Sequence, residues 1–316
     1  MRRREVAFTS AGVQLRGTLA LPPGDGPFPG LVTVHGASHG GRDFRLFTHL
    51  ESLLVPAGFA ILRYDRPGSD SSGGDFESAD FAQLAADALA ALGVLADDAA
   101  VDPARLGIFG FSQGGWIGPE AAVRSPLVSF LVLVGACGVT PAAQMQYAAA
   151  TAIRASGHPE AAVELAVALR ASVDDAMRGR LPRAEAARRV REAQAEPWFG
   201  QAFVHEPPPE PGPQDEKWRL EMDYDIGPVL RELRLPVLLI HGSHDRWTPI
   251  DDSRAAWQAA FAERAELLSA VRIAGTGHYP TLAGGAEGEE AAPISPDYEA
   301  LLLRWLRERA AREPAF

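Results

Sequence analysis

Apolar and polar residues alternate through "EVAFTSAGVQLRGTLALPPG" on either side of a Ser-Ala-Gly turn. A period of two predicts a hairpin of half-buried strands from about Val6 to Leu21. The pattern then changes. "PGLVTVHG" is a nearly continuous β-branched run, the composition of a strand covered on both faces. From there strand and helix periods take turns: "RLFTHLESLLVPAG" has helical spacing, "FAILRYD" is a strand, "ADFAQLAADALAALGVLADD" is a long amphipathic helix, and "RLGIFGFS" is a strand again. "SFLVLVGACG", "PVLLIHGSHD" and "LSAVRIAGTGH" supply three further strands. Such alternation predicts an α/β fold, a mostly parallel sheet with helices on both faces and the first hairpin as an antiparallel edge.

One region breaks the rhythm. From about Val139 to Leu230, roughly ninety residues pass without an apolar strand, about three times what a plain strand-to-strand crossover needs. Residues 139–230 therefore read as an insertion in a core made of 1–138 and 231–316. Its first part, through "EAAVELAVALRASVDDAMRGRLPRAEAARRVREAQ", predicts two or three amphipathic helices. Its second, "HEPPPEPGPQDEKW", reads as a proline-dense connector, extended on the surface and not helical. Long insertions in compact domains tend to be functional, so a lid over a pocket is the expectation. A last helix, "SPDYEALLLRWLRERA", follows the small acidic loop "AGGAEGEEAAP", with Ser295 as its cap and Pro296 at its first position.

Composition narrows the classes. With 316 residues and 47% hydrophobic content, the chain suffices for one elaborated domain with a large core. A net charge of -11 argues against nucleic acid, whose binding draws on clustered Lys and Arg, and favours an uncharged or cationic small substrate. Cys137 is the single cysteine, which leaves no internal disulfide and no cysteine metal site; it reads as a small buried residue at a strand end. The start, "MRRREVAFTSAGVQL", has positive charge but no apolar stretch behind it, and no window has the length of a membrane helix. A cytoplasmic protein without a membrane partner is expected. Nothing calls for a cofactor, and nothing signals an oligomeric state.

The candidate chemistry starts at "GIFGFSQGGW", Gly107 to Trp116, where Ser112 stands between glycines directly after a strand. Glycines there serve any tight turn. A strand-to-helix turn of the type Gly-x-Ser-x-Gly also holds a serine exposed, with the next N–H aimed at a reacting carbonyl oxygen. A serine hydroxyl is a poor nucleophile alone and needs a base and a group to orient that base. In a parallel sheet the carboxyl ends of the strands share one edge, so the partners should follow strands. Asp245 follows "PVLLI" in "HGSHDRWTP", and His278 follows "SAVRI" in "AGTGHYP". Singly, an aspartate in a turn is a turn cap and a histidine after a strand is a solvated or satisfied residue. Three strand ends yielding the right types together are far rarer.

"TVHGASHGG" after the first long strand offers backbone N–H groups for a developing oxyanion. The donors are assigned to Ala37 and Gln113, with Ser38 replacing Ala37 if the turn is shifted by one. His35 reads as structural, since one base is enough. His241, His244 and Asp245, or His35 with His39, lack the fixed helical face of a metal site, and no metal is expected. Trp116, Met145, Tyr147, Trp198, Phe199 and Trp247 are packing residues or the apolar wall of a substrate pocket; with Ser38, all but Phe199 are taken as its lining. Glu206, Glu210, Glu216 and Glu221 could meet a substrate amine, but a charged, proline-rich stretch reads more simply as solvated surface.

With "GPFPGLVTVHG", "LRYDRPGSDSSGG", "VDPARLGIFGFSQGG", "PVLLIHGSHDRWTP" and "GTGH", the chain resembles the α/β-hydrolases over its whole core. More narrowly, it is similar to bacterial esterases and serine-aminopeptidase-like hydrolases with a helical cap. The resemblance implies Ser112 as nucleophile, His278 as base and Asp245 as its partner, in the family's chain order. It places the cap after the sixth strand, the region after Val139. Two departures stand out: Asp70 occupies the second glycine position of the usual Gly-x-Gly-x-Ser, and Pro119 lies within the helix after Ser112, which it should kink or shorten. The implied activity is hydrolysis of a carboxylic ester of a small, largely apolar substrate through an acyl-enzyme. The same residues would serve an aminopeptidase-like peptidase, or a thioesterase or lactonase of a biosynthetic route. A non-catalytic ligand receptor or scaffold on the same fold is the alternative from another class.

Overall fold

In the computed structural model, which describes residues 1–37, 40–286 and 288–310, the chain opens with strands β1 (Arg2–Ser10) and β2 (Val13–Leu21), paired antiparallel. The hairpin starts at Arg2, earlier than its hydrophobic period suggests, because Arg2 to Glu5 are exposed and stay in the sheet through their ladder to Thr18–Leu21. Next come β3 (Phe28–Val34), α1 (Arg45–Leu54), β4 (Ala60–Asp65), α2 (Phe81–Ala96), β5 (Val101–Phe111), α3 (Gly114–Arg124) and β6 (Phe130–Val134). Helices α4 (Pro141–Ala155), α5 (Glu160–Met177), α6 (Arg183–Ala193), α7 (Pro213–Glu221) and α8 (Gly227–Glu232) separate β6 from β7 (Val237–Gly242). The chain then forms α9 (Ile250–Ala260), β8 (Leu268–Ile273) and α10 (Pro296–Ala310).

The sheet has eight strands in the order β1-β2-β4-β3-β5-β6-β7-β8. Pairings β1 with β2 and β2 with β4 are antiparallel, and every other pair is parallel. Successive strand residues point to opposite faces, and β6 and β7 are apolar on both. Leu131, Leu133, Val237 and Leu239 join the cluster under α2, α3, α8 and α9, which supply Leu92, Ile117, Leu230 and Trp257. Val132, Val134, Leu238 and Ile240 join the other, under α1 and α10, with Phe47, Leu50, Tyr298 and Trp305. A third cluster, including Ile153, Val163, Leu169, Val190 and Trp198, lies within the helices between β6 and β7.

Three local expectations need correction or completion. The stretch "PQDEKW" is helical, in α7, because Pro213 sits at the first turn, where its missing N–H costs nothing, and the Asp215 carboxylate accepts from Gly212 N–H at 3.0 Å. Helix α3 runs on past Pro119 to Arg124. Asp70 takes up the glycine conformation at its position, with φ of 43°. At the start of α10, Ser295 caps as expected, its Oγ accepting from Tyr298 N–H at 3.5 Å.

Candidate active site

The parallel strands β5 to β8 bring their carboxyl ends to one edge, and each contributes there. Ser112 follows β5 with φ of 52°, a left-handed conformation that costs a non-glycine residue about 1–3 kcal/mol. What holds it is backbone: Ser112 N–H donates to Val134 O at 2.8 Å, and α3 starts at once behind it. The turn is that tight only because Gly114 lacks a Cβ, which would lie 2.7 Å from Val34 O. Ser112 is half-buried.

Beyond β7, Asp245 is fully enclosed. Its Oδ1 accepts from Trp247 N–H at 2.8 Å and Thr248 N–H at 2.9 Å, and both its oxygens lie within 3.1 Å of His278 Nδ1. Burial opposes ionisation, yet the imidazole and these N–H groups hold its carboxyl below the usual range. His278, beyond β8, is buried, which disfavours its charge; the adjacent Asp245 and then Glu289 outweigh this and raise its pKa. With Nδ1 donating to Asp245, the neutral ring leaves Nε2 as an acceptor. The ring packs against Phe111, the residue before Ser112, with centroids 5.2 Å apart, and a Cβ on Gly135 would lie 2.9 Å from its Cε1. Among the described residues, no hydrogen bond joins Ser112 Oγ to the ring.

Glu289 is the participant that sequence reasoning missed. It belongs to the acidic loop before α10, yet it is buried, and its Oε1 accepts the N–H groups of His278 at 3.1 Å and Tyr279 at 3.3 Å. Burial raises its own pKa. The only signal was several glutamates close together, and that pattern is indistinguishable from a solvated loop.

Ala37 lies in the turn after β3. Arg66, from the loop after β4, donates to Gly36 O at 2.7 Å and Ala37 O at 2.9 Å. In a trans peptide the carbonyl and the following N–H point in opposite directions, so anchoring Gly36 O turns Ala37 N–H away from Arg66. Ser38 and His39 lie outside the described residues. Gln113 stands at the start of α3, where N–H groups have no partner within the helix. Its side-chain amide donates to Glu221 Oε2 at 3.5 Å, and Glu221 pairs with Lys217 Nζ at 2.6 Å. Lys217 also donates to Ala79 O and sits 4.2 Å over the Phe76 ring. Glu221 is thus buried and compensated by charge, not solvated; Glu216 is half-buried and pairs with Arg219, and Glu206 and Glu210 are exposed.

The residues taken as pocket lining divide. Trp116 is buried in the core, stacked on Phe81 at 5.6 Å with Nε1 donating to Val139 O, and Trp198 is buried in the third cluster, with Phe199 packed against it. Both tryptophans are packing residues, because their apolar surface is spent on the interior. Tyr147 and Met145 are half-buried on α4, and Tyr147 OH donates to Asp245 O at 3.4 Å. Trp247 is 37% exposed, its ring 6.4 Å from that of His278.

His35 is buried edge-on to Phe47 and Tyr64, and burial pushes its pKa down to about 3. His241 donates from Nε2 to Ala136 O at 2.8 Å. No three His, Cys, Asp or Glu side chains among the described residues are grouped to hold a metal ion. Cys137 is buried against Thr248, and burial pushes its thiol pKa up. A cleft of about 450 Å³ lined by Arg124, Ser125, Leu233 and Arg234 opens at the opposite, amino-terminal edge of the strands, away from this chemistry. Among the described residues no helix is long and apolar enough to cross a membrane.

Similar proteins agree with the architecture. Alpha/beta hydrolase GrgF from Penicillium sp. sh18 superposes with a TM-score of 0.63 at 19% identity, covering 99% of this chain and 100% of that one. Est1E from Butyrivibrio proteoclasticus, with ferulic acid bound, gives 0.61 at 17% identity over 97% and 100%, and proline iminopeptidase from Mycobacterium smegmatis 0.58 at 17% over 97% and 99%. At such identities the likeness concerns the fold. Among curated proteins, the bile acid-CoA:amino acid N-acyltransferase of Mus musculus is 47% identical over 49 residues, 16% of this chain. The chain spans only 10% of that relative's length. The alpha/beta hydrolase family matches residues 31–291. With that span, and with a sheet of this order, the chain belongs to the alpha/beta hydrolase family.

Proposed function

We propose that the chain is a serine hydrolase that cleaves a carboxylic ester of a small, largely apolar substrate through an acyl-enzyme. His278 Nε2 takes the proton from Ser112 Oγ as the oxygen attacks the carbonyl carbon; Asp245 keeps the ring in the required tautomer and stabilises the imidazolium. The backbone N–H groups of Ala37 and Gln113 receive the oxyanion, each contributing about 3 kcal/mol in the transition state. Collapse of the tetrahedral intermediate expels the alcohol, which takes its proton from His278, and water repeats the sequence on the acyl-enzyme. Residues 139–230 act as the cap. The hydroxyl and the imidazole must close on substrate binding, as catalytic hydrogen bonds that are loose in free enzymes do.

The observation that supports this reading best is the strained turn at Ser112 beside the buried Asp245–His278 pair on one sheet edge. A peptidase reading is less favoured, because Glu221, the one buried carboxylate of the four noted above, is already neutralised by Lys217. A thioester substrate draws support only from the short match to acyl-CoA-dependent acyltransferases. Labelling by a fluorophosphonate, lost in Ser112→Ala, tests the nucleophile; full p-nitrophenyl ester turnover by that variant would overturn it. Short p-nitrophenyl esters, aminoacyl anilides and acyl-CoAs assayed side by side separate the substrate classes, with the esters expected to be fastest.

A further inference from the structure

Phe203 and Trp247 are stacked, with centroids 5.0 Å apart and planes 28° apart, yet 38% and 37% exposed. Neither ring belongs to the three apolar clusters of the described residues. Large aromatic rings left partly in water together, outside any core, mark a binding surface more than a packing one. The pair is also held in place from behind. Gln144 Nε2 donates to Trp247 O at 2.8 Å, and Trp247 N–H is tied to Asp245.

Phe203 is in the left-handed conformation, φ 51° and ψ 40°, which a bulky residue adopts only when its surroundings impose it. Here the imposing group is Arg170. Buried in α5, it donates from Nη1 to Phe203 O at 2.6 Å, and its guanidinium lies 5.4 Å from the Trp218 ring centroid. Trp218 in turn donates from Nε1 to Asp174 Oδ1 at 2.9 Å.

The location of the pair selects one part of a substrate. In acyl transfer the leaving oxygen takes its proton from the imidazole, so the alcohol portion of an ester lies on the His278 side, while the carbonyl oxygen faces the oxyanion donors. The Trp247 ring lies 6.4 Å from that of His278. We infer that Phe203 and Trp247 form a subsite for a flat aromatic group on the alcohol portion of the substrate, with Arg170 as the positioning residue that holds Phe203 there. The inference rests on the hydrolase reading and names the leaving-group class within it. Ring-on-ring contact distinguishes an aromatic group from a saturated ring of equal size by about two- to tenfold in affinity.

The test compares kcat/KM for benzyl acetate and cyclohexylmethyl acetate, which share an acyl group and nearly share size. The chain should prefer the benzyl ester by several-fold. Phe203→Gly, which also relieves the left-handed backbone, and Trp247→Leu should each bring the ratio down toward one. Arg170→Met should lower the ratio chiefly through a higher KM for the benzyl ester. A ratio near one in the parent protein, or one unchanged in both Phe203→Gly and Trp247→Leu, would overturn the subsite. Fluorophosphonate labelling of Ser112 in the same preparations separates the two readings. Labelled protein without benzyl preference removes the subsite alone, whereas absence of both labelling and turnover removes the hydrolase reading with it.

Discussion

His278, the proposed base, has two carboxyl groups beside it that raise its pKa. Asp245 touches its ring and Glu289 its backbone, both favouring the imidazolium, while His241 behind Asp245 is buried with its own pKa lowered. The imidazole must be neutral to accept the serine proton, so a raised pKa moves the acid limb of kcat/KM above the ~6.5 of an ordinary histidine. Glu289→Gln keeps an acceptor for the two N–H groups and removes a charge, so the midpoint should fall. An unchanged midpoint would show that this carboxyl is not ionised when His278 titrates. The strained turn makes a second prediction: Ser112→Gly should be more stable than Ser112→Ala by about 1 kcal/mol in denaturant unfolding, since only glycine is at ease at that φ. The placement of Ser112, Asp245 and His278 at one sheet edge was legible because each combines a residue type with a place just past an apolar run. Glu289 was not, because nothing local says that a glutamate from an acidic loop folds back onto a peptide N–H eleven positions earlier.

At the scale of elements, α7 is the instructive case. Its sequence, "PQDEKWRLE", has almost no apolar stripe, and the property that makes helices legible, periodic burial of hydrophobic residues, is missing. What it buries instead is an ion pair. Lys217 and Glu221, four apart on one face, are 9% and 6% exposed at the side chain and lock the helix onto Ala79 and Gln113. Removing one partner leaves the other charged in the interior. Lys217→Met should therefore cost about 3–5 kcal/mol, and the double variant Lys217→Met with Glu221→Leu should recover most of it in the same unfolding experiment. The Ala-rich and Arg-rich helices α4 to α6 carry the ordinary period, and reading two or three helices there needs no tertiary information.

For the whole molecule, the alternation of periods sufficed for a mostly parallel sheet with an antiparallel edge, but not for strand order. That β4 lies between β2 and β3 depends on pairing across the fold, and no period along the chain encodes it. The apolar interior is likewise divided in a way the sequence hides: two clusters sandwich the sheet and a third fills the helices between β6 and β7. Trp198→Ala in that third cluster should cost about 3–5 kcal/mol locally. Hydrogen exchange should then accelerate in α4 to α6 while β5 to β7 keep their protection; equal acceleration everywhere would mean that the helices open only with the sheet.

Arg66 reaches from one loop to fasten the carbonyls of another, and burial pushes its pKa only to about 10, so it stays cationic at neutral pH. The turn after β3 therefore does not own its shape. Transplanting that turn from a relative, without the matching segment after β4, would graft a loop deprived of its clasp. The two segments form one exchangeable unit, although β3 and β4 are separated in the chain by a whole helix.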